Sequence, residues 1–307
     1  MKNARLFVPT SSAFLCALVI SISAVTQLAA QPLSGSESKA TILQEKYAAL
    51  AQALTKNQYK RPLFLESAEA SNKISSTVYA VLDSSFSTVS ETFKKPGLWC
   101  EILILHLNTK YCFAGSDMSP ATLKVNIGKK TPQELADTFS LDFSLSLIES
   151  SPNYLAVQLN ADKGPLGTTD YRLELQAVPL DGGKTFMYLR YSYGFGTTGR
   201  LAMQTYLATL GRGKIGFTQV SQEPKSGFVG GIRGAVERNT MRYYLAIEAY
   251  LASLKQAPAN QLNTRFNHYF DATEEYPEQF REIEKTDYLA MKKDEYQRQQ
   301  SAPSKFN

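Results

Sequence analysis

The stretch GFVGGIRGAVERNTMRYYLAIEAYLASL, from Gly227 to Leu254, carries the longest helical pattern in the chain. Glycines precede the pattern, and no proline interrupts it before Pro258. At about 100° per residue, its apolar side chains share one broad arc of the helix surface. They are Val236, Met241, Tyr243, Tyr244, Leu245, Ile247, Tyr250, Leu251, Ala252 and Leu254. An apolar arc this wide predicts a helix that lies across another layer of the protein.

Three charged residues, Arg233, Glu237 and Glu248, fall inside this arc. A buried charge must be paired or must face a cavity, because its lost hydration is otherwise uncompensated. Arg233 and Glu237 are four residues apart, and in the structural interpretation they form a local ion pair. Glu248 has no such neighbour, and Arg190, on an apolar strand, is the predicted partner. In the functional interpretation, Arg190 and one of these glutamates bind the polar head of a ligand. The opposite sector of the helix is expected to face solvent; it contains Arg238, Asn239, Arg242 and Ser253.

Residues 1–30 have the pattern of a secretory signal peptide. Lys2 and Arg5 form a short basic region, and an apolar run follows from Ala13 to Val25. A retained membrane anchor is the alternative, but this run is shorter than the roughly 20 residues that a membrane span needs. We therefore expect an exported protein, periplasmic or secreted. Without Lys2 and Arg5 the formal charge falls from +5 to +3, which is too small a bias to indicate nucleic-acid binding.

Two cysteines, Cys100 and Cys112, remain beyond the predicted signal peptide. An even pair in an oxidising compartment predicts a disulfide. If residues 100–112 formed one continuous helix, the two sulfurs would be roughly 18 Å apart. A disulfide therefore requires the chain to turn between the two cysteines.

The rest of the chain divides by pattern into a mostly antiparallel β region flanked by helices. Alternating apolar residues predict strands over 73–83, 121–128, 139–147, 154–160, 170–178 and 185–195, separated by turns rich in glycine, proline and asparagine. The last of these strands is apolar on both faces and is expected to be central. We expect a helical extension over 31–70, a main domain over 71–258 and a helical tail over 259–307, with charged surface helices at 261–284 and 286–299.

Two segments resemble elements of one known superfamily. STVYAVLDSSFSTVSETFKKPGLWCEILIL, residues 76–105, looks like a strand followed by small helices, and GGIRGAVERNTMRYYLAIEAYL, residues 230–251, looks like a closing helix. Their order resembles the helix-grip fold of the START-like (SRPBCC) superfamily, which includes polyketide cyclases and lipid-transfer domains. The resemblance implies an α+β fold in which a curved antiparallel sheet wraps on a long C-terminal helix, with extra helices at both termini. It also implies a tunnel for a hydrophobic ligand between the sheet and the helix.

The predicted ligand-binding residues lie on elements that would face this tunnel. They are Trp99, Tyr188, Arg190, Arg233, Glu237, Met241, Tyr244 and Glu248. Trp99 is also consistent with a purely structural core position. The tyrosines at 188, 191, 193, 243 and 244 cannot all be buried without partners for their hydroxyls, so some of them are expected to line a partly wet cavity.

Patterns for cofactors and catalysis are sparse. Gly194, Gly196 and Gly199 fit GxGxxG, but the strands before them are antiparallel hairpins and no βαβ unit follows, so dinucleotide binding is not expected. His106 and His268 are the only histidines, which excludes a three-histidine zinc site. No G-x-S-x-G nucleophile motif is present. We expect no cofactor and no metal, and name no catalytic residue.

The leading hypothesis is an exported, non-enzymatic START-like protein that binds or carries a hydrophobic or amphipathic small molecule, with lipids among the candidates. Contact with a membrane is expected to be transient, and the oligomeric state is left open. The first alternative is a cyclase- or hydrolase-type enzyme in which Arg190, Glu237 and Glu248 perform acid–base chemistry in the same cavity. The second alternative is a non-catalytic assembly protein that acts through its tail helices.

Overall fold

The computed structural model describes residues 35–115, 121–208, 213–222 and 225–301. The predicted signal peptide lies outside these ranges, and export stays a prediction. Within them, no helix combines the length and the apolar character that a membrane span requires.

Eight antiparallel strands form the main sheet, in the order β1-β2-β8-β7-β6-β5-β4-β3. Their bounds are β1 Leu63–Glu69, β2 Lys73–Leu82, β3 Thr109–Ala114, β4 Ala121–Ile127, β5 Phe139–Ser151, β6 Tyr154–Lys163, β7 Thr168–Leu180 and β8 Lys184–Phe195. A separate hairpin pairs β9 Gln219–Gln222 with β10 Lys225–Phe228. The α-helices are α1 Gly35–Thr55, α2 Phe86–Phe93, α3 Pro96–Leu103, α4 Thr197–Ala208, α5 Gly231–Ser253, α6 Pro258–Glu274, α7 Pro277–Phe280 and α8 Lys285–Ser301.

The central elements form a helix-grip arrangement. One strand, β2, is followed by the short helices α2 and α3, by the six consecutive strands β3 to β8 and, after α4 and the small hairpin, by the long helix α5. The first strand of this series pairs with the last, β2 with β8. Helix α5 packs across β2, β1 and β8. The predicted α+β fold with a long helix on an antiparallel sheet is thus confirmed.

Helix α1 covers the face of the sheet that α5 does not. Its buried residues Leu43, Leu50 and Leu54 belong to a second apolar cluster with Phe186 and Val178 of the sheet. This second layer explains why β8 is apolar on both faces, since each face is buried by a different helix.

Two strands of the main sheet, and both strands of the separate hairpin, were not foreseen in the sequence. Leu63–Glu69 forms β1, which pairs with β2 over its whole length, so the segment expected to be only a helical extension contributes an edge strand. Thr109–Ala114 forms β3 directly after the apolar run of α3.

The predicted disulfide is present between Cys100 and Cys112, whose Cα atoms are 5.2 Å apart. Cys100 lies on α3 and Cys112 on β3, and the turn at residues 104–108 reverses the chain between them. The geometric condition derived from the sequence is therefore met.

The expectation that Arg238, Arg242 and Ser253 face solvent was wrong, because all three are buried. The C-terminal helices cover this side of α5. Arg242 forms an ion pair with Glu282 at 2.9 Å, and Arg265 donates a hydrogen bond to Ser253 Oγ at 3.0 Å. Helix α5 is therefore enclosed between the sheet and the tail.

The tail helices are also more buried than their charged sequence predicted. On α8, Lys292 and Glu295 are 0% and 2% exposed, and they form an ion pair at 2.7 Å. Glu295 also pairs with the buried Lys110 of β3 at 2.9 Å, and Lys292 donates to the carbonyl oxygens of His106 and Thr109. This network fixes α8 to the sheet edge, and a role of the tail in assembly stays a prediction.

Candidate functional site

A cavity of about 200 Å³ lies between the sheet and the N-terminal half of α5. The walls come from the turn before β7, from β7 and β8, from α4 and from α5. The lining residues are Pro165, Leu166, Thr168, Tyr171, Tyr191, Tyr193, Met203, Leu207, Ala235 and Asn239. This is the position in which the family resemblance placed a ligand tunnel.

Helix α4 forms one wall of the cavity and is fixed at its N-terminal end. A Cβ atom on Gly199 would lie 2.8 Å from the carbonyl oxygen of Gly167, so only glycine allows this close approach of α4 to the turn before β7. Arg200 donates to the carbonyl oxygen of Ser71 at 2.8 Å, and its guanidinium lies 4.8 Å from the centre of the Phe195 ring. The third glycine of the GxGxxG match therefore has a packing role.

Tyrosine rings from two neighbouring strands form the inner wall. The rings of Tyr171 and Tyr193 stack with centroids 5.2 Å apart, and Tyr191 lies 5.7 Å from Tyr193. The Tyr171 hydroxyl is 2.7 Å from Oγ1 of Thr168. Since alternate residues of a strand point to the same side, Tyr191 and Tyr193 both face α5. The prediction that some tyrosines of this region line a cavity is confirmed for these two.

Burial makes these hydroxyls harder to ionise than an exposed tyrosine, which is itself protonated at neutral pH. It raises the pKa of Tyr171 to about 12. The pKa values of Tyr191 and Tyr193 also rise, first through burial and then through neighbouring tyrosines. The wall thus offers neutral hydroxyls that can donate and accept hydrogen bonds.

A second ring and an imidazole lie behind this wall. Tyr243 of α5 meets Tyr191 edge to face and lies over His106, with centroid distances of 5.2 Å in both cases. His106 Nδ1 accepts a hydrogen bond from the Asn108 amide at 3.1 Å. Its Nε2 makes no hydrogen bond of normal geometry in the described part of the chain, although the Asn239 side chain interacts with the imidazole. Burial, together with the positive charges of Arg242 and Lys292, lowers the pKa of His106 well below its usual value.

Tyr188 and Arg190 lie on the side of the sheet that carries α1. Tyr188 packs against the α1-side cluster that includes Phe186, whereas Leu189 and Tyr191 belong to the core cluster on the α5 side. Arg190 is two residues from Tyr188 on the same strand and shares its face. The predicted contact between Arg190 and Glu248 was therefore wrong.

Arg233 and Glu237 anchor a loop to the beginning of α5. Glu237 is fully buried and accepts hydrogen bonds from the amides of Phe217 and Thr218 at 2.6 and 2.9 Å. Ser67 of β1 also donates to Glu237, and Arg233 donates to Ser67 at 2.7 Å. The expected ion pair between Arg233 and Glu237 is present at 3.9 Å. These contacts give both residues a structural role.

Glu248 and Tyr244 belong to a second polar cluster around Arg61. Arg61 donates to Glu248 at 2.5 Å and to Glu275 at 2.7 Å. The fully buried Tyr244 donates its hydroxyl to Glu248 at 3.1 Å. Arg61 precedes β1 and was not considered as a partner, because nothing in the sequence pattern indicates that β1 joins the sheet beside α5.

Trp99 and Met241 lie in the apolar core. Trp99 is 1% exposed, packs on Phe93 and donates its indole N–H to the Phe93 carbonyl oxygen at 2.9 Å. Met241 is fully buried. None of the eight residues predicted to bind a ligand is among the described residues that line the tyrosine cavity, and their predicted role in binding stays untested.

Asn239 and Tyr171 were missed for different reasons. Asn239 was assigned to a solvated sector of α5, because the helix pattern does not reveal α4 and the turn before β7 on that side. Tyr171 carried a weak signal: it begins the apolar alternation of β7. Among the described residues, no group of three or more His, Cys, Asp or Glu side chains is arranged to hold a metal ion.

Comparison with known proteins gives structural neighbours but no sequence relatives. No family model and no curated protein matches the chain significantly. Truncated norcoclaurine synthase from Thalictrum flavum has a TM-score of 0.33 and 14% identity, covering 47% of this chain and 91% of that chain. Human StAR-related lipid transfer protein 5 has a TM-score of 0.29 and 11% identity, covering 52% of this chain and 84% of that chain. A conserved protein of unknown function from Enterococcus faecalis has a TM-score of 0.32 and 9% identity, covering 67% and 88%.

The present chain has the α+β, helix-grip fold that the sequence resemblance implied. The assignment rests on its own strand order and closing helix, in which β2 pairs with β8 and α5 lies across them.

Proposed function

We propose that this protein binds a small hydrophobic or amphipathic molecule in the cavity between the sheet and α5, and that it acts as a carrier rather than as an enzyme. The observation that carries the proposal is the cavity itself, whose walls are apolar and aromatic and contain a few hydroxyl groups and one amide. Concave sites of this composition are typical of small-molecule binding.

Two exposed leucines support transient contact with a membrane during loading or release. Leu166, at the cavity wall, is 46% exposed, and Leu201 on α4 is 65% exposed. Export is part of the same proposal. It is supported by the N-terminal signal pattern and by the Cys100–Cys112 disulfide, which is stable in an oxidising compartment.

A pair of matched variants tests the proposal. Ala235 lines the tyrosine cavity, whereas Ala252, on the same helix, lines a different cavity. Ala235→Leu fills part of the tyrosine cavity without removing a polar group. We expect it to weaken binding of the neutral fluorescent probe N-phenyl-1-naphthylamine at least tenfold, with Ala252→Leu close to wild type.

Circular dichroism of both variants checks that the fold is retained. Wild-type protein that does not bind the probe, or equal binding by the two variants, would contradict the proposed function.

His106 favours a second candidate, an enzyme of the cyclase or hydrolase type that uses the same cavity. Because Nδ1 accepts the Asn108 amide, the neutral imidazole carries its proton on Nε2, and this N–H can donate a hydrogen bond that polarises a substrate carbonyl. His106→Gln would then retain probe binding and lose turnover of a panel of neutral esters and 1,3-dicarbonyl compounds. Absence of turnover by the wild-type protein across this panel would count against the enzyme.

A further inference from the structure

Every described residue that lines the tyrosine cavity is uncharged. Its polar atoms are the hydroxyls of Thr168, Tyr171, Tyr191 and Tyr193 and the amide of Asn239. Hydroxyls and amides bind neutral polar groups well, but they supply no counter-ion for a ligand that carries a full charge.

Two charged groups that act on the cavity wall have partners elsewhere. Glu69 and Arg238 both act electrostatically on Tyr193. Arg238 donates to the carbonyl oxygen of Ile215 at 2.8 Å, and Glu69 pairs with Arg200 at 3.4 Å. An ionised ligand that used either group would compete with these contacts.

The two side chains directly behind the cavity wall, Tyr243 and His106, are neutral as well. Burial raises the pKa of Tyr243, so its hydroxyl stays protonated. Burial and the adjacent cations Arg242 and Lys292 lower the pKa of His106, so its imidazole stays unprotonated. The neutral imidazole therefore adds a hydrogen-bonding group near Asn239 without adding a charge.

The size and shape of the cavity restrict the ligand further. An apolar cavity of about 150 Å³ holds one benzene ring, so about 200 Å³ suits a body of one or two rings. Flat ring edges and faces of Tyr171, Tyr191 and Tyr193 favour a rigid ring system, because aromatic groups gain from offset or edge-to-face contacts.

We infer that the cavity selects neutral, ring-containing molecules that carry hydroxyl, carbonyl or amide groups, and that it rejects their ionised analogues. This inference rests on the proposed function, because it concerns the ligand of the same cavity. It narrows the ligand class from hydrophobic molecules in general to compact ring compounds without a formal charge.

A pair of isosteric probes tests this selectivity. 2-Naphthamide and 2-naphthoate have the same ring system and nearly the same shape, but only the carboxylate is charged at neutral pH. Isothermal titration calorimetry with the mature chain at pH 7 is expected to show binding of the amide at least tenfold tighter than binding of the carboxylate. Ala235→Leu is expected to weaken amide binding, which locates the probe in the tyrosine cavity.

A lysine introduced into the wall of the tyrosine cavity provides a second test. Asn239→Lys puts an ammonium group beside the cavity and is expected to shift the preference towards 2-naphthoate at least tenfold relative to the wild-type protein. Thermal unfolding of this variant shows whether it is folded, and if it is not, Thr168→Lys replaces it.

Three other outcomes would contradict the inferred selectivity. Equal or tighter binding of 2-naphthoate by the wild-type protein, with amide binding still sensitive to Ala235→Leu, overturns the selectivity and leaves the proposed function standing. No binding of either probe overturns both. An unchanged preference in the folded lysine variant also overturns the selectivity.

Discussion

Arg61 joins three separate parts of the chain through its guanidinium group. It precedes β1, and it pairs with Glu248 of α5 and with Glu275 after α6. Arg61 is 13% exposed at its side chain and Glu248 is 25% exposed. Removal of one partner leaves the other carboxylate partly buried and without a counter-ion.

We therefore expect Arg61→Ala to lower the free energy of unfolding by about 2 kcal/mol. Arg172→Ala is the matched control, since Arg172 and its partner Asp170 are 43% and 47% exposed. A surface pair of this kind contributes less than about 1 kcal/mol. Urea unfolding followed by circular dichroism measures both variants, and equal losses would contradict a structural role for the Arg61 cluster.

Tyr171, in the cavity wall, makes the stability of the fold depend on pH. The pKa of Tyr171 is about 12 in the folded chain and 10.0 in the unfolded chain. A pKa raised by folding means that the protonated tyrosine stabilises the fold fully below pH 10, and that this contribution is lost as the pH rises towards 12.

Tyr171→Phe removes this titration. We expect the free energy of unfolding of the variant to fall less steeply between pH 10 and 12 than that of the wild type, with a difference of about 2 kcal/mol across the interval. Denaturant unfolding at several pH values, with tyrosinate absorbance recorded in parallel, measures it. Identical slopes for the two proteins would show that Tyr171 ionises as freely in the folded chain as in the unfolded chain.

At the residue scale, the sequence shows which face of a strand a side chain lies on. It does not show equally well which helix covers that face. Arg190 shares a face of β8 with Phe186 and Tyr188. The predicted contact with Glu248 required α5 to cover that face, but α1 covers it. Hydrophobic periodicity shows which residues share a face, but it does not show which helix packs there.

At the scale of elements, α8 depends on a buried charge cluster that its amphipathic pattern does not show. Two ammonium groups, from Lys110 and Lys292, share the carboxylate of Glu295. Neutralising this carboxylate leaves two buried cations with only carbonyl oxygens and a thioether sulfur as partners.

We expect Glu295→Gln to cost about 3 to 5 kcal/mol, the range for breaking a buried ion pair. Its neighbour Asp294 is exposed, so Asp294→Asn is the control for the loss of one acidic charge. Hydrogen exchange by mass spectrometry should show α8 amides exchanging at least about 100-fold faster in Glu295→Gln. Exchange in α8 that is the same for both variants would mean that this network does not hold the helix.

A helix or strand could be predicted from the sequence where a local signal marks its boundary. Pro96 separates α2 from α3 and gives a clear local signal, because proline is tolerated in the first turn and disrupts a helix interior. In contrast, β3 follows the apolar end of α3 with no glycine or proline between them, so its start has no local signal. Apart from Ala68, the apolar residues of β1 are the run Leu63, Phe64 and Leu65, which is too short a pattern to distinguish a strand.

At the scale of the whole molecule, α1 and the tail fill the outer layers, and their packing explains where the cavity lies. Helix α1 buries one face of the sheet, and α6, together with Phe280 and Glu282 beyond it, buries the far side of α5. The start of α5, beside α4 and the turn before β7, is where space remains for the tyrosine cavity. The general position of a cavity between sheet and helix was predicted from the family resemblance, but its lining depended on contacts between segments that are distant in sequence.

Native mass spectrometry of the chain purified from its native compartment tests the central claim most directly. The spectrum of the wild-type protein is predicted to contain a second species, heavier by the mass of one small molecule, which organic extraction then recovers. The same species is predicted to be lost in Ala235→Leu and retained in Ala252→Leu. A wild-type spectrum with the mass of the polypeptide alone, or an added mass that persists in Ala235→Leu, would contradict ligand binding in the tyrosine cavity.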